Sequence, residues 1–159
     1  MSTTVRANSA ADIIGRLLAG DENYRISHVY LVFENTAGVP TPLIPSAGDT
    51  ADIFHSLAGN RDIIRAEILP QPQLTASGID YQTNRVTFTS VANAVVGDGV
   101  GLPFDAANNS KVIGVALVSS PTSSIADDVL YSHTAFDAAD ALPVIGAGQA
   151  GTTYTVTVE

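Results

Sequence analysis

The sequence predicts a mainly β protein, an antiparallel β-sandwich of about seven strands with one short N-terminal amphipathic helix. Three observations carry the prediction. Two stretches, residues 24–35 (Y-R-I-S-H-V-Y-L-V-F-E-N) and 111–119 (K-V-I-G-V-A-L-V-S), are apolar on both alternating faces, as strands covered on both sides must be. Other runs alternate apolar and polar residues at period two, the pattern of half-buried strands. Between them lie stretches rich in Gly, Pro, Asn and Asp. A length of 159 residues suits one domain spanning 1–159, with residues 1–20 an N-terminal arm and helix.

The helix comes first. Asn8 or Ser9 is placed to cap A-A-D-I-I-G-R-L-L-A, and Asp12 falls in the first turn. Ile13, Ile14, Leu17 and Leu18 recur at helical spacing before Gly20 offers a stop. About three turns of helix are marginal alone, so this one must dock on its own sandwich or insert into a neighbouring subunit. In the strand that follows, Ile26, His28, Tyr30 and Val32 are assigned to one face and Ser27, Val29, Leu31 and Phe33 to the other.

Residues 36–50, with Pro40, Pro42 and Pro45, read as a loop, and 51–57 (A-D-I-F-H-S-L) as either a helical turn or a short strand. Residues 62–69 read as a strand with Ile64, Ala66 and Ile68 opposite Arg65 and Glu67, ended by Pro70 and Pro72. Residues 79–81 and 85–91 suggest a hairpin, and 92–110 a long surface excursion. Residues 128–135 place Val129, Tyr131 and His133 on one face, and 152–158 (T-T-Y-T-V-T-V) form a last strand.

Composition narrows the function. A net charge of −9 with seven scattered Lys and Arg excludes wrapping nucleic acid, which needs clustered cations. The absence of cysteine removes disulfides, thiolate metal sites and thiol nucleophiles. Neither a signal-peptide core nor a run of about 18 apolar residues is evident, so a soluble, non-membrane polypeptide is expected. Only 14% of residues are charged. That implies either a surface of Ser, Thr, Asn and Gly or burial against partner subunits.

Candidate chemistry is sparse. Residues 146–151 (G-A-G-Q-A-G) match a dinucleotide fingerprint in letters, but a strand follows where a helix is required, so a turn is expected. Residues 97–101 (G-D-G-V-G), with Asn93, Asp98, Asp105, Asn108 and Asn109 nearby, offer oxygens for calcium without the ligand order of a calcium loop. His28, His55 and His133 lack metal-ligand spacing and are expected to be satisfied structural histidines. Ser27-His28 and Ser132-His133 are neighbours on strands, hence expected on opposite faces and unable to act as nucleophile and base. Asp127 with Asp128, and Asp137 with Asp140, are carboxylate pairs whose separation depends on the fold. Asn108-Asn109-Ser110 is a formal sequon, with nothing to suggest secretion. No catalytic, cofactor-binding or metal residue is assigned.

Six segments together resemble small virion proteins of tailed bacteriophages: R-L-L-A-G (16–20), Y-R-I-S-H-V-Y-L-V-F-E-N (24–35), L-A-G-N-R-D-I-I-R-A-E-I (57–68), Y-Q-T-N-R-V-T-F (81–88), L-P-F-D-A-A-N-N-S-K-V-I-G-V-A-L-V (102–118) and G-T-T-Y-T-V-T-V (151–158). The resemblance implies a non-enzymatic structural protein of a phage particle, made and assembled in the host cytoplasm and resident in the virion. A capsid decoration or cement protein is the first expectation. It would bind the major capsid protein or other virion proteins as a homo-oligomer, a trimer among the options, through many weak contacts. A collar, baseplate or tail-fibre attachment protein is the alternative. A carbohydrate- or receptor-binding module ranks third, because the chain has no Trp to form a sugar platform.

Overall fold

The computed structural model describes residues 2–35, 43–55, 57, 61–68, 74–75, 78–79, 85–92, 101–104, 110–137 and 150–157. The doubly apolar stretch becomes β2 (Ile26–Asn35), the strand around which the rest is arranged. It pairs antiparallel with β3 (Arg61–Glu67) on one side and β8 (Ser110–Ser119) on the other. Beyond β8 lie β9 (Val129–Ala135) and the N-terminal β1 (Thr3–Arg6), giving a five-stranded sheet of order β1-β9-β8-β2-β3. A smaller sheet has β6 (Arg85–Ala92) between β10 (Thr153–Thr157) and β7 (Gly101–Phe104), and β4 (Leu74–Thr75) pairs with β5 (Gly78–Ile79) in a separate ribbon.

Both faces of the large sheet are covered, which explains the unbroken apolar run of β2. Val29, Leu31 and Phe33, with Ile64 and Val112, face Val86, Phe88 and Leu102 of the small sheet. This is the sandwich interior. On the opposite face, Tyr30, Val32, Ile63 and Ile113 lie beneath Ala51 and Phe54. Each large apolar side chain buried in this way contributes roughly 1.5–3 kcal/mol.

The helix α1 (Ala10–Leu18) forms as its periodicity predicts. Its end is a Schellman closure: the amide of Gly20, at φ 88°, donates to the Leu17 carbonyl and that of Asp21 to Arg16. Ser9 is the N-cap residue, but its hydroxyl makes no cap and donates 2.6 Å to the Leu130 carbonyl, tying the helix start to β9. The ambiguous 51–57 stretch contains a one-turn helix, α2 (Asp52–His55), which drives Phe54 into the outer face.

The predicted fold class holds: among the described residues a five-stranded antiparallel sheet packs against a three-stranded one, with β6–β7 a parallel pair. Three finer expectations need correction. Residues 79 and 85–91 do not pair as a hairpin: β6 has β10 and β7 on its two sides, and β5 pairs with β4. The 92–110 excursion contains β7, whose Leu102 is fully buried. Ile26 packs on the Val29 side of β2, because the register with β8 shifts between Ile26 and His28. One residue inserted into a strand reverses the facing of everything before it.

Candidate functional site

The shift at the start of β2 creates the first polar cluster. Ser27 is the extra residue, and its carbonyl accepts the Ile68 amide at 2.8 Å. Its hydroxyl accepts the Ser120 amide at 3.0 Å and lies 2.9 Å from His28 Nδ1. The expectation that Ser27 and His28 point apart is therefore wrong, since it assumed an unbroken pleat. Glu67 is the cross-strand partner of His28. These residues line an open cleft of about 240 Å³ with Glu22, Arg25 and Ser123. A serine–histidine contact of this length is the geometry of an activated nucleophile. Here, however, the Ser27 hydroxyl also holds the end of β8, and the residue is only 7% exposed. Among the described residues the cleft lining mixes both charge signs and contains no Phe, Tyr or Trp, the platform a sugar site would use.

The second cluster lies on the outer face of the large sheet. Arg65 follows the predicted alternation, opposite Ile64 and Ala66, yet it is buried because that face is covered too. Its Nε donates to Asp128 Oδ2 at 2.9 Å and its Nη2 to Oδ1 at 3.2 Å, a bidentate pair. The same Nη2 reaches the Ser120 hydroxyl at 2.7 Å and the Ser123 carbonyl at 3.3 Å. Ser123 sits at φ 66°, a left-handed conformation in which the guanidinium helps to hold it. Tyr30 donates its hydroxyl to Asp128, so its oxygen is left to accept from His55 Nε2 at 3.3 Å. Burial, followed by the hydrogen bond to the Asp128 carboxylate, pushes the Tyr30 phenol well above its ordinary value.

The predicted carboxylate pair Asp127–Asp128 is thus split. Asp128 turns inward to Arg65, while Asp127 is exposed and accepts from the Thr122 hydroxyl at 2.6 Å. Asp137 is described and Asp140 lies outside the described residues, as do Asn93, Asp98, Asp105, Asn108 and Asn109 of the calcium candidate. Most of the 146–151 glycine run also lies outside. Its end is a turn with Gly151 at φ 84°, followed by β10.

The three histidines are dispersed. His28 belongs to the cleft and His55 to the Tyr30 network. His133, on β9, is buried edge-on against Phe54 with ring centroids 4.8 Å apart. Both its nitrogens lack a hydrogen-bond partner, so it is not the satisfied histidine expected. Burial lowers its pKa below the usual histidine value, against a smaller upward pull from Asp49. The side chains expected to share its face do not: the β8–β9 register shifts between Leu117 and Val118, and Leu130 joins the outer core instead. Among the described residues, no group of three or more His, Asp or Glu side chains is placed to hold a metal ion.

A third feature is apolar. Ala10 and Ile13 of α1 are fully buried, while Ile14, Leu17 and Leu18 are 39%, 37% and 85% exposed. The polar side of the same helix carries the Asp12–Arg16 pair at 3.0 Å, with Arg16 over the Tyr24 ring. The helix is therefore anchored along one line and apolar along a second. Sequence spacing identified these four large residues but not which of them would remain uncovered. Comparison with protein-family models, curated proteins and solved structures finds no match for this chain.

Proposed function

We propose that this chain is a non-enzymatic structural subunit of a bacteriophage virion, a decoration or cement protein that binds the major capsid protein at capsomer junctions as a homo-oligomer. The observation that carries the reading is the open apolar line on α1. A nine-residue helix fixed to the sheet through Ala10 and Ile13 presents Ile14, Leu17 and Leu18 outward at a fixed angle. Such a helix suits a contact repeated many times over a symmetric shell, where modest individual affinities multiply. The resemblance in segment layout supports the same assignment. The acidic balance of −9 suits an outer position, away from packaged nucleic acid.

The test is binding of purified protein to particles that lack it, with Leu18→Glu in parallel. Deleting residues 1–20 is a poor probe, because it removes the buried Ala7, Ala10 and Ile13 together with β1. Saturable binding abolished in the folded point variant is the expected result. Failure of the native chain to bind any virion surface refutes the assignment.

A further inference from the structure

We propose that residues 43–55 form an acid-released flap on the outer face of the large sheet, with His133 as its latch. The segment is held at identifiable points. Its Ala47 carbonyl accepts the Asn8 amide at 2.8 Å, Phe54 inserts between Tyr30 and His133, and Asp49 Oδ2 lies 3.6 Å from His133 Nδ1. Beneath it the His133 side chain is 3% exposed, with neither nitrogen hydrogen-bonded.

A neutral imidazole fits this seat, whereas an imidazolium has two N–H groups to solvate and no water to do it. The charges around the ring do not replace that water. Among the described residues, Asp49 is the ionisable side chain facing it, and its carboxylate already accepts the Ser46 amide at 2.8 Å. From β1 and β8 the residues across from His133 are Val5 and Ala116, while neighbouring Arg6 lies over the Tyr131 ring. Arg65 and Tyr30 are committed to Asp128, and on α1 Asp12 and Arg16 pair with each other. On the flap, Asp52 lies beside His55. His55 Nε2 is in turn directed to the Tyr30 hydroxyl, away from His133.

Lifting the flap returns His133 to water, where it binds a proton at an ordinary histidine pKa. The open state therefore takes up protons first. As pH falls below about 6.5, opening becomes more favourable, by up to about tenfold per pH unit for one proton. The effect stops once the closed form also protonates. The latch works by burial alone and needs no particle or partner.

Hydrogen exchange on the full chain, corrected for intrinsic rates, tests this between about pH 7.5 and 5, above the range where ordinary carboxylates titrate. The amides of Asn8 and Phe54 should show an opening constant that rises more than threefold per pH unit below about 6.5, while central β2 and β8 amides stay level. His133→Phe keeps a ring against Phe54 and should flatten the profile. Asp49→Asn should steepen it. A level wild-type profile, an unchanged rise in His133→Phe, or equal loosening of β2 and β8 would each overturn the proposal. Should His133→Phe not fold, the ring resonances of the native His133 decide: a midpoint at or above about 6.5 removes the latch.

Discussion

Replacing Arg65 by Met tests whether the outer face is held by a buried ion pair. The Arg65 and Asp128 side chains are 6% and 0% exposed, with their charged atoms 2.9 Å apart. At an effective dielectric near 20, charge centres about 4 Å apart attract by about 4 kcal/mol. Removing the arginine forfeits that attraction and leaves Asp128 charged in an apolar setting, with only the Tyr30 hydroxyl among the described donors to it. The expected loss is about 3–5 kcal/mol. For a domain of this size that lowers Tm by roughly 6–20 °C. Urea denaturation of Arg65→Met, Asp128→Leu and the double variant completes the measurement. The double variant should cost less than the sum of the singles by at least about 2 kcal/mol, because the orphaned charge is then gone. Single losses below about 1 kcal/mol, or strict additivity, would mean the pair behaves like an exposed one and the reasoning fails.

Three further outcomes follow from the geometry. Tyr30 ionises with difficulty when folded, so its contribution to stability is whole below about pH 10 and declines as pH rises above that value. Tyr30→Phe should make the alkaline limb of a stability profile shallower, and an unaltered limb would contradict the burial of the phenol and its hydrogen bond to Asp128. Gly114→Ala places a Cβ 2.6 Å from the Thr134 carbonyl of the adjoining strand. Separating β8 from β9 should cost about 1–3 kcal/mol in denaturant titration, and an unchanged midpoint would show that the strands yield freely. Leu18→Glu, at a site 85% exposed, should leave stability within about 0.5 kcal/mol while abolishing particle binding. Retained binding would exclude α1 as the contact.

The elements that were legible in the sequence are those whose residues signal their environment locally. Ile13 and Gly20 mark a helix and its end, and the unbroken run from Val29 to Phe33 marks a strand covered on both faces. Strand partners were not legible, because β6 meets Thr153–Thr157 and Gly101–Phe104, remote in sequence from each other. Nor were the register shifts at Ser27 and beside Leu130, since an inserted residue leaves the alternation looking intact on either side of it. For that reason the Ser27–His28 contact was missed. The burial of Arg65 carried little signal: Ile63 shares its face, but so does the charged Glu67, so the alternation reads as a half-exposed strand. Which anion it finds, Asp128, depends on a chain reversal 63 residues away.

The strand order of the large sheet also sets a timetable for synthesis. Thr4 of β1 meets Thr134 of β9 across 130 residues of chain, and Ser27 meets Ser120 across 93. At roughly 5–20 residues per second, the ribosome takes about 6–26 seconds to supply β9 after β1. During that interval β2 and β3 can form a ribbon, with the β8 side of β2 unpaired and both apolar faces wet. Closure comes late, in the slow regime of long-range pairing. A nascent chain interrupted before Ser110 lacks the β8 partner of β2 and leaves exposed the apolar faces that chaperones recognise.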